Sequence, residues 1–147
     1  MRLVSAARRD TVRGGVGPAL ETGAWVVCGR GIDGTFAWKV FENSVSELCS
    51  DVVSNQVAGQ TRPDFTFILD LDAKTALQRR DANAPTRHSD PAEAHRNFGR
   101  IRRGLLEAAR RDPQRCHVID ATGSEEWITV QILDVLQAAG QLHPAAA

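Results

Sequence analysis

The sequence predicts an α/β fold in which helices flank a parallel sheet, and three observations support this prediction. Residues 65–71 form a nearly continuous apolar run, as expected for a parallel strand that is covered on both faces. Shorter apolar runs predict further strands at residues 25–28 and 117–120. Stretches with helical spacing separate these runs, and such alternation is typical of α/β proteins.

The amino-terminal half has several candidate helices. Residues 3–13 suit a helix, and Gly14, Gly15 and Gly17 then each weaken it by about 1 kcal/mol relative to alanine. Residues 18–25 predict a helix end, a glycine stop and the start of a strand. Helices are also predicted at residues 35–41, 44–58 and 74–81.

Two carboxyl-terminal helices have clear start signals. Asp90 is a predicted cap, Pro91 takes the first helical position and Glu93 completes a capping box, so this helix should run to about Arg111. Ser124 opens the last helix, which should end near Gly140. Its expected inward residues share helical spacing: Ile128, Ile132, Val135 and Leu136.

Composition limits the classes of protein. A chain of 147 residues predicts one domain, 1–147, with a loose tail at 141–147. The net charge is zero, which gives no reason to expect nucleic acid or a membrane as a partner, and no apolar run is long enough for a membrane span. The three cysteines lack metal-ligand spacing, so we expect reduced thiols, no metal ligands and a cytoplasmic location.

The segment around Arg30 carries the strongest functional signal. Residues 29–34 (GRGIDG) match the G-x-G-x-x-G pattern, with Glu47 or Asp51 near the place of the expected acid. This pattern would indicate a dinucleotide-binding oxidoreductase, although a simple strand-to-helix turn also collects glycines. A more specific interpretation accounts for more residues of the segment.

The segment resembles the D-R-Y-x-D-S-S-x-A-Y-Q motif of thymidylate kinases. The residues in register are Arg30, Asp33, Thr35, Ala37 and Trp38. Further matches keep the order and spacing of the family: residues 6–9 (AARR), 62–72 (RPDFTFILDLD), 76–80 (ALQRR), 86–87 (TR), 100–104 (RIRRG) and 117–121 (HVIDA). The resemblance implies a P-loop kinase-like parallel sheet, here lacking the amino-terminal P-loop strand.

The resemblance also implies roles for individual residues. Complete relatives transfer the γ-phosphate of ATP to dTMP, giving dTDP, with Mg²⁺. By analogy the substrate-binding residues are Arg8, Arg30, Asp33, Thr35 and Trp38. The resemblance implies a lid over the phosphates with three arginines, Arg79, Arg80 and Arg87. The residues with an implied catalytic role are Arg87 and Arg30. A homodimer is left open.

Departures from the family keep alternatives open. No G-x-x-x-x-G-K-[ST] occurs in these 147 residues, and Gly29 stands where the family has the acid of D-R-Y. Val4 replaces an aromatic residue and Lys39 a glutamine, which leaves the nucleobase open. We therefore expect no phosphoryl transfer by this chain alone. A non-catalytic remnant that binds nucleotide or a partner is the second hypothesis, and a basic RNA-binding domain is a weaker one.

Overall fold

The structure is a computed structural model that describes residues 10–29, 33, 34, 37, 62–83 and 90–142. Its central feature is a pair of parallel strands, β1 (Thr66–Asp70) and β2 (Cys116–Asp120), in the register Thr66 opposite Cys116. Both strands fall within one residue of their predicted bounds, which confirms the parallel α/β arrangement.

Four α-helices lie in the described part of the chain. These are α1 (Gly17–Glu21), α2 (Ala73–Asn83), α3 (Pro91–Arg111) and α4 (Glu125–Ala138). The long crossover from β1 to β2 contains α2 and α3, as parallel strands require. None of the described helices combines the length and the apolar character needed to cross a membrane.

Helix α3 covers one face of the sheet. Ile68 of β1 and Cys116 of β2 form a buried cluster with Ala109 of α3, and Leu105 packs against it. Helix α3 also packs against α2, while α4 contacts β2. The core therefore sits between α3 and the sheet.

The predicted caps of the two long helices are present. The Asp90 carboxylate accepts a hydrogen bond from the N–H of Ala92 at the start of α3. The Ser124 hydroxyl accepts one from the N–H of Trp127 at the start of α4. Each cap satisfies a backbone donor that has no partner within its helix, so these two boundaries follow from local sequence.

The predicted strand at residues 25–28 is wrong. These residues have no regular secondary structure, and Trp25 and Val27 are 63% and 95% exposed. A strand needs a neighbour that pairs with its backbone, and the sheet that the structure describes contains β1 and β2 alone. The helix end before it is confirmed, because α1 stops at Glu21 and Gly23 adopts a φ of 76°.

The helix predicted at residues 3–13 continues beyond residue 13 in the described part of the chain. Asp10 and Thr11 are helical, and a π-helical turn, Val12–Val16, leads directly into α1. The helix therefore continues through the glycines that were expected to weaken it. The predicted helices at 35–41 and 44–58 lie almost wholly outside the described residues.

Candidate functional site

Arg79 joins α2 to the loop that follows β2 at the carboxyl edge of the sheet. Its guanidinium donates to the carbonyl oxygens of Ala121 at 2.8 Å, Thr122 at 3.0 Å and Gly123 at 3.4 Å. The side chain of Asp72 accepts from the first-turn N–H groups of α2, at 3.0 Å each, and so fixes where the helix starts. Arg79 thereby ties the two segments that follow the two strands.

Arg80, the second predicted lid arginine, also has partners on the protein. It forms an ion pair with Asp81 at 2.7 Å, and its guanidinium carbon lies 5.9 Å from the centre of the Phe98 ring on α3. Its side chain is only 20% exposed. Of the two arginines, Arg79 lies at the carboxyl edge, where open α/β sheets bind ligands. Their lid role stays a prediction.

The carboxylates at the same edge are engaged with protein groups. Arg102 of α3 donates two hydrogen bonds to Asp70, at 2.6 and 2.8 Å. These bonds are the main reason why the pKa of Asp70 lies below its ordinary value. The Asp120 carboxylate accepts from the N–H of Thr122 at 2.9 Å, and this backbone bond lowers the pKa of Asp120.

The described residues do not form a metal site. No group of three or more histidine, cysteine, aspartate or glutamate side chains converges anywhere in the part of the chain that can be described. At the carboxyl edge, Asp70 is neutralised by Arg102 and Asp72 serves as a helix cap. The described carboxylates of this edge therefore do not fit a magnesium ion.

A second polar cluster lies at the opposite, amino-terminal edge of the sheet. Arg115, directly before β2, makes a bidentate ion pair with Asp33, with Nη1–Oδ2 and Nη2–Oδ1 distances of 2.9 and 2.8 Å. Arg115 Nη1 also donates to the Thr66 hydroxyl at 2.7 Å, and that hydroxyl donates to Asp33 Oδ2 at 3.1 Å. Asp112 accepts from Arg115 Nε at 2.8 Å.

Burial and charge act in opposite directions on this cluster. The side chains of Arg115 and Asp33 are each only 10% exposed. Burial by itself would raise the pKa of Asp33, and it is the largest single effect. The hydrogen bonds and charge of Arg115, together with the Thr66 hydroxyl, outweigh it and hold the pKa of Asp33 below its ordinary value. Asp33 is therefore ionised and fully partnered at neutral pH.

Among the predicted site residues that the structure describes, Asp33 and Arg79 lie at opposite edges of the sheet. Asp33 lies at the amino edge beside Thr66, whereas Arg79 lies at the carboxyl edge beside Ala121. The four residue steps of β1 separate these edges by about 13 Å. The remaining predicted site residues lie outside the described part of the chain: Arg8, Arg30, Thr35, Trp38 and Arg87.

Sequence reasoning missed Arg115 and Arg102. Arg115 and Asp33 are 82 positions apart, so no helical or strand spacing relates them. The available signal was positional, because a polar residue directly before a parallel strand lies at the amino edge of its sheet. Arg102 has no such signal, since it is one of several arginines on a helix with a solvated face.

Comparison with known proteins identifies relatives along most of the chain. The family model for thymidylate kinase matches residues 1–132. A thymidylate kinase of Bradyrhizobium sp. (strain ORS 278) is 34% identical over 140 residues, which are 92% of this chain and 61% of that protein. A thymidylate kinase of Caulobacter vibrioides is 38% identical over 134 residues, covering 91% of this chain and 64% of the relative.

A solved structure shares the fold. The crystal structure of thymidylate kinase from Ehrlichia chaffeensis has a TM-score of 0.68 and 26% identity, and the match covers 90% of this chain and 60% of that one. The chain thus spans about three fifths of the length of the curated relatives it matches. The matched range includes the glycine segment at 29–34, for which a dinucleotide site was the competing interpretation. The chain belongs to the thymidylate kinase family.

Proposed function

We propose that this chain supplies the monophosphate-binding motif and the lid of a thymidylate kinase, whose reaction transfers the γ-phosphoryl group of ATP to dTMP and forms dTDP. One observation carries this proposal: the family match over residues 1–132 includes every predicted substrate and lid position. The proposal includes a cytoplasmic location, as expected for nucleotide synthesis, and leaves a homodimer open.

The proposed roles follow from the charge of the substrates. Arg30 addresses the phosphate of dTMP, because a guanidinium matches two phosphate oxygens with parallel hydrogen bonds. Arg8, Thr35 and Trp38 complete the substrate pocket with Asp33. Arg79, Arg80 and Arg87 act as the lid, where cations stabilise the charge that spreads over the transferring phosphoryl group.

Magnesium enters this proposal only because the resemblance to thymidylate kinases implies it. The described carboxylates of the carboxyl edge do not fit the ion, and position 29 carries glycine in place of the acid in the resembled motif. The proposed function therefore contains no step through a metal. In this proposal, the residues of the chain bind the monophosphate and cover the phosphates.

A second candidate function is nucleotide binding without catalysis. It is favoured by Gly29, which stands where the resembled motif of the family has an acid. Here the expected result is that the chain by itself shows no ATP-dependent phosphorylation of dTMP in coupled ADP-release kinetics. Turnover of about 10 per second, an ordinary enzyme rate, would contradict this second candidate.

The test of the proposed site is the dTMP affinity of an arginine variant. Arg30→Gln removes the charge that addresses the phosphate, and we expect dTMP binding, measured by calorimetry, to weaken by about tenfold or more. Arg96→Gln is the matched control, since Arg96 is an exposed residue of α3 and its loss should leave the affinity unchanged. Equal affinities for Arg30→Gln and the unmodified chain would remove the support for this pocket.

A further inference from the structure

The two outer edges of the β1–β2 sheet differ in how their backbone groups are partnered. On the β2 edge, the N–H of Cys116 donates to the carbonyl oxygen of Asp112 at 2.8 Å. At the other end of β2, the side-chain amide of Gln131 on α4 caps Asp120. Its oxygen accepts from the Asp120 N–H at 3.3 Å, and its nitrogen donates to the Asp120 carbonyl oxygen at 3.0 Å. These contacts end the sheet at β2, because a further strand would need the same backbone groups.

The β1 edge carries no such caps in the described part of the chain. The N–H of Thr66 donates to the residue directly before β2 at 2.8 Å, and the carbonyl oxygen of Asp70 accepts from the residue directly after β2 at 3.0 Å. Because successive residues of a strand direct their backbone groups to alternate sides, Phe67 and Leu69 direct theirs away from β2. Neither has a backbone partner among the described residues. The Leu69 side chain is 54% exposed, so this part of the edge is open to solvent.

We propose that the β1 edge is an interface at which two copies of this chain pair β1 with β1, antiparallel, across a twofold axis. A twofold axis brings the same edge to both sides of the interface, so the donors and acceptors of one copy meet those of the other. With Ile68 on the axis, Phe67 of each copy lies opposite Leu69 of the other, and each opposed pair exchanges both of its N–H···O bonds. The two-stranded sheets then join into one sheet whose outer edges are the capped β2 strands.

The side chains of β1 are compatible with this register. Phe67 and Leu69 share one face of the strand, where the Phe67 ring lies 5.9 Å from the His117 ring of β2. The pairing places the exposed Leu69 side chain of each copy beside Phe67 of the other, and such apolar cross-strand pairs stabilise sheets. Thr66 of each copy lies opposite Asp70 of the other, so no like charges oppose one another within β1. A second copy therefore matches this edge in hydrogen bonds, apolar contact and charge.

Proline substitutions at matched positions of the two edges test the interface. Proline lacks an N–H and is tolerated in a strand where that N–H faces away from the sheet. Leu69→Pro removes the outward donor of β1 and keeps its bonds to β2, so each dimer loses two hydrogen bonds. We expect the dissociation constant of the dimer, measured by analytical ultracentrifugation, to rise by about tenfold or more. Val118→Pro is the control, because Val118 faces the β2 edge and is similarly exposed at 48%, and it should leave the dissociation constant unchanged.

A second pair of variants and a local readout complete the test. Leu69→Lys and Val118→Lys repeat the comparison without constraining the backbone, and they decide the matter if a proline variant does not fold. Amide hydrogen exchange locates the interface in the unmodified chain. The amides of Phe67 and Leu69 should exchange more slowly as the protein concentration rises past the dissociation constant, whereas the amide of Val118 should exchange at one rate throughout.

The outcomes separate a second copy from other occupants of the β1 edge. A dimer that the Leu69 substitutions weaken and the Val118 substitutions do not supports the interface. Association that both sets weaken equally, or that neither set weakens, overturns it. A chain that stays monomeric also overturns it. Slow exchange of the Phe67 and Leu69 amides in such a monomer would mean that another segment of the same chain covers the edge, and fast exchange that the edge is left for a different protein.

Discussion

At the scale of single residues, the pair Asp33–Arg115 is the most consequential contact. Two charges that are each about nine-tenths buried lose most of their hydration, and only good geometry compensates for this. The bidentate bonds, the Thr66 hydroxyl and Asp112 supply that geometry. Removing one partner of such a buried pair typically costs about 3–5 kcal/mol, because the other charge stays buried.

The acid sensitivity of the fold tests this contact. The pKa of Asp33 is lower in the folded chain than in the unfolded one, so its contribution to stability is present above the unfolded value, about 3.9, and is lost as the pH falls through the folded value. Asp33→Asn should therefore lower the free energy of unfolding by about 3 kcal/mol at pH 7 and by progressively less as the pH falls below about 3.9. Denaturant titrations across this pH range measure the difference.

The exposed pair Arg80–Asp81 gives the control for that experiment. The Asp81 side chain is 59% exposed, and surface pairs contribute little to stability, so Asp81→Asn should shift the free energy of unfolding by less than about 1 kcal/mol at any pH. A loss for Asp33→Asn that is the same at pH 7 and at pH 2 to 3 would show that the ionised carboxylate of Asp33 does not stabilise the fold.

At the scale of the secondary-structure element, local sequence signals predicted where helices and strands begin and end, but not which elements pair with one another. Asp90 and Ser124 marked helix starts because a cap is a contact between residues two or three positions apart. The apolar runs located β1 and β2 to within one residue. Residues 25–28 have the same apolar composition and form no strand, since strand formation depends on a pairing partner that local sequence does not specify.

The same difference between local and distant contacts limited the site prediction. Asp33 was selected because it matches a motif, but its partner Arg115 and its place at the amino edge depend on contacts across 82 positions. Arg79 was selected as a lid residue, and its bonds to the carbonyls after β2 likewise cross more than 40 positions. The sequence thus predicted Asp33 and Arg79 as site residues, while the residues that contact them could be identified only from the folded structure.

Two glycines provide a prediction about helix α3 and the start of α4. Gly99 lies inside α3 with open space where a Cβ would be, so Gly99→Ala should raise the free energy of unfolding by about 0.5–1 kcal/mol. A Cβ on Gly123 would lie 2.4 Å from the Trp127 ring, so Gly123→Ala must displace that ring. This substitution should lower the free energy of unfolding by about 1 kcal/mol. Thermal unfolding of both variants checks the signs. A gain for Gly123→Ala would contradict the packing described at the start of α4.

At the scale of the whole molecule, several large apolar side chains of the described residues are exposed. Large exposed side chains occur before the motif segment and on the sheet, with Trp25 at 63%, Val27 at 95% and Leu69 at 54% exposure. Monomeric soluble proteins rarely expose large apolar patches, and the unpaired backbone groups of a sheet edge favour pairing with another chain. We therefore expect the isolated chain to self-associate and to unfold over a broad range of denaturant.

A charge at the most exposed of these positions tests the expectation. Val27→Lys should raise the monomer fraction severalfold in light scattering, because a charge opposes burial of this segment against another molecule. Gln137→Lys adds the same charge at an exposed position of α4 and should leave the monomer fraction unchanged. A monomeric unmodified chain with a sharp, cooperative unfolding transition would contradict the expectation.

We propose that this member of the thymidylate kinase family has a pocket for a nucleoside monophosphate, and a calorimetric comparison of two ligands tests this proposal. The unmodified chain is titrated with dTMP and, separately, with thymidine, which differ only by the phosphate. Because arginines address the phosphate with charge-assisted hydrogen bonds, we predict that dTMP binds about tenfold more tightly or better. Equal affinities for the two ligands, or no binding of either, would contradict the claim.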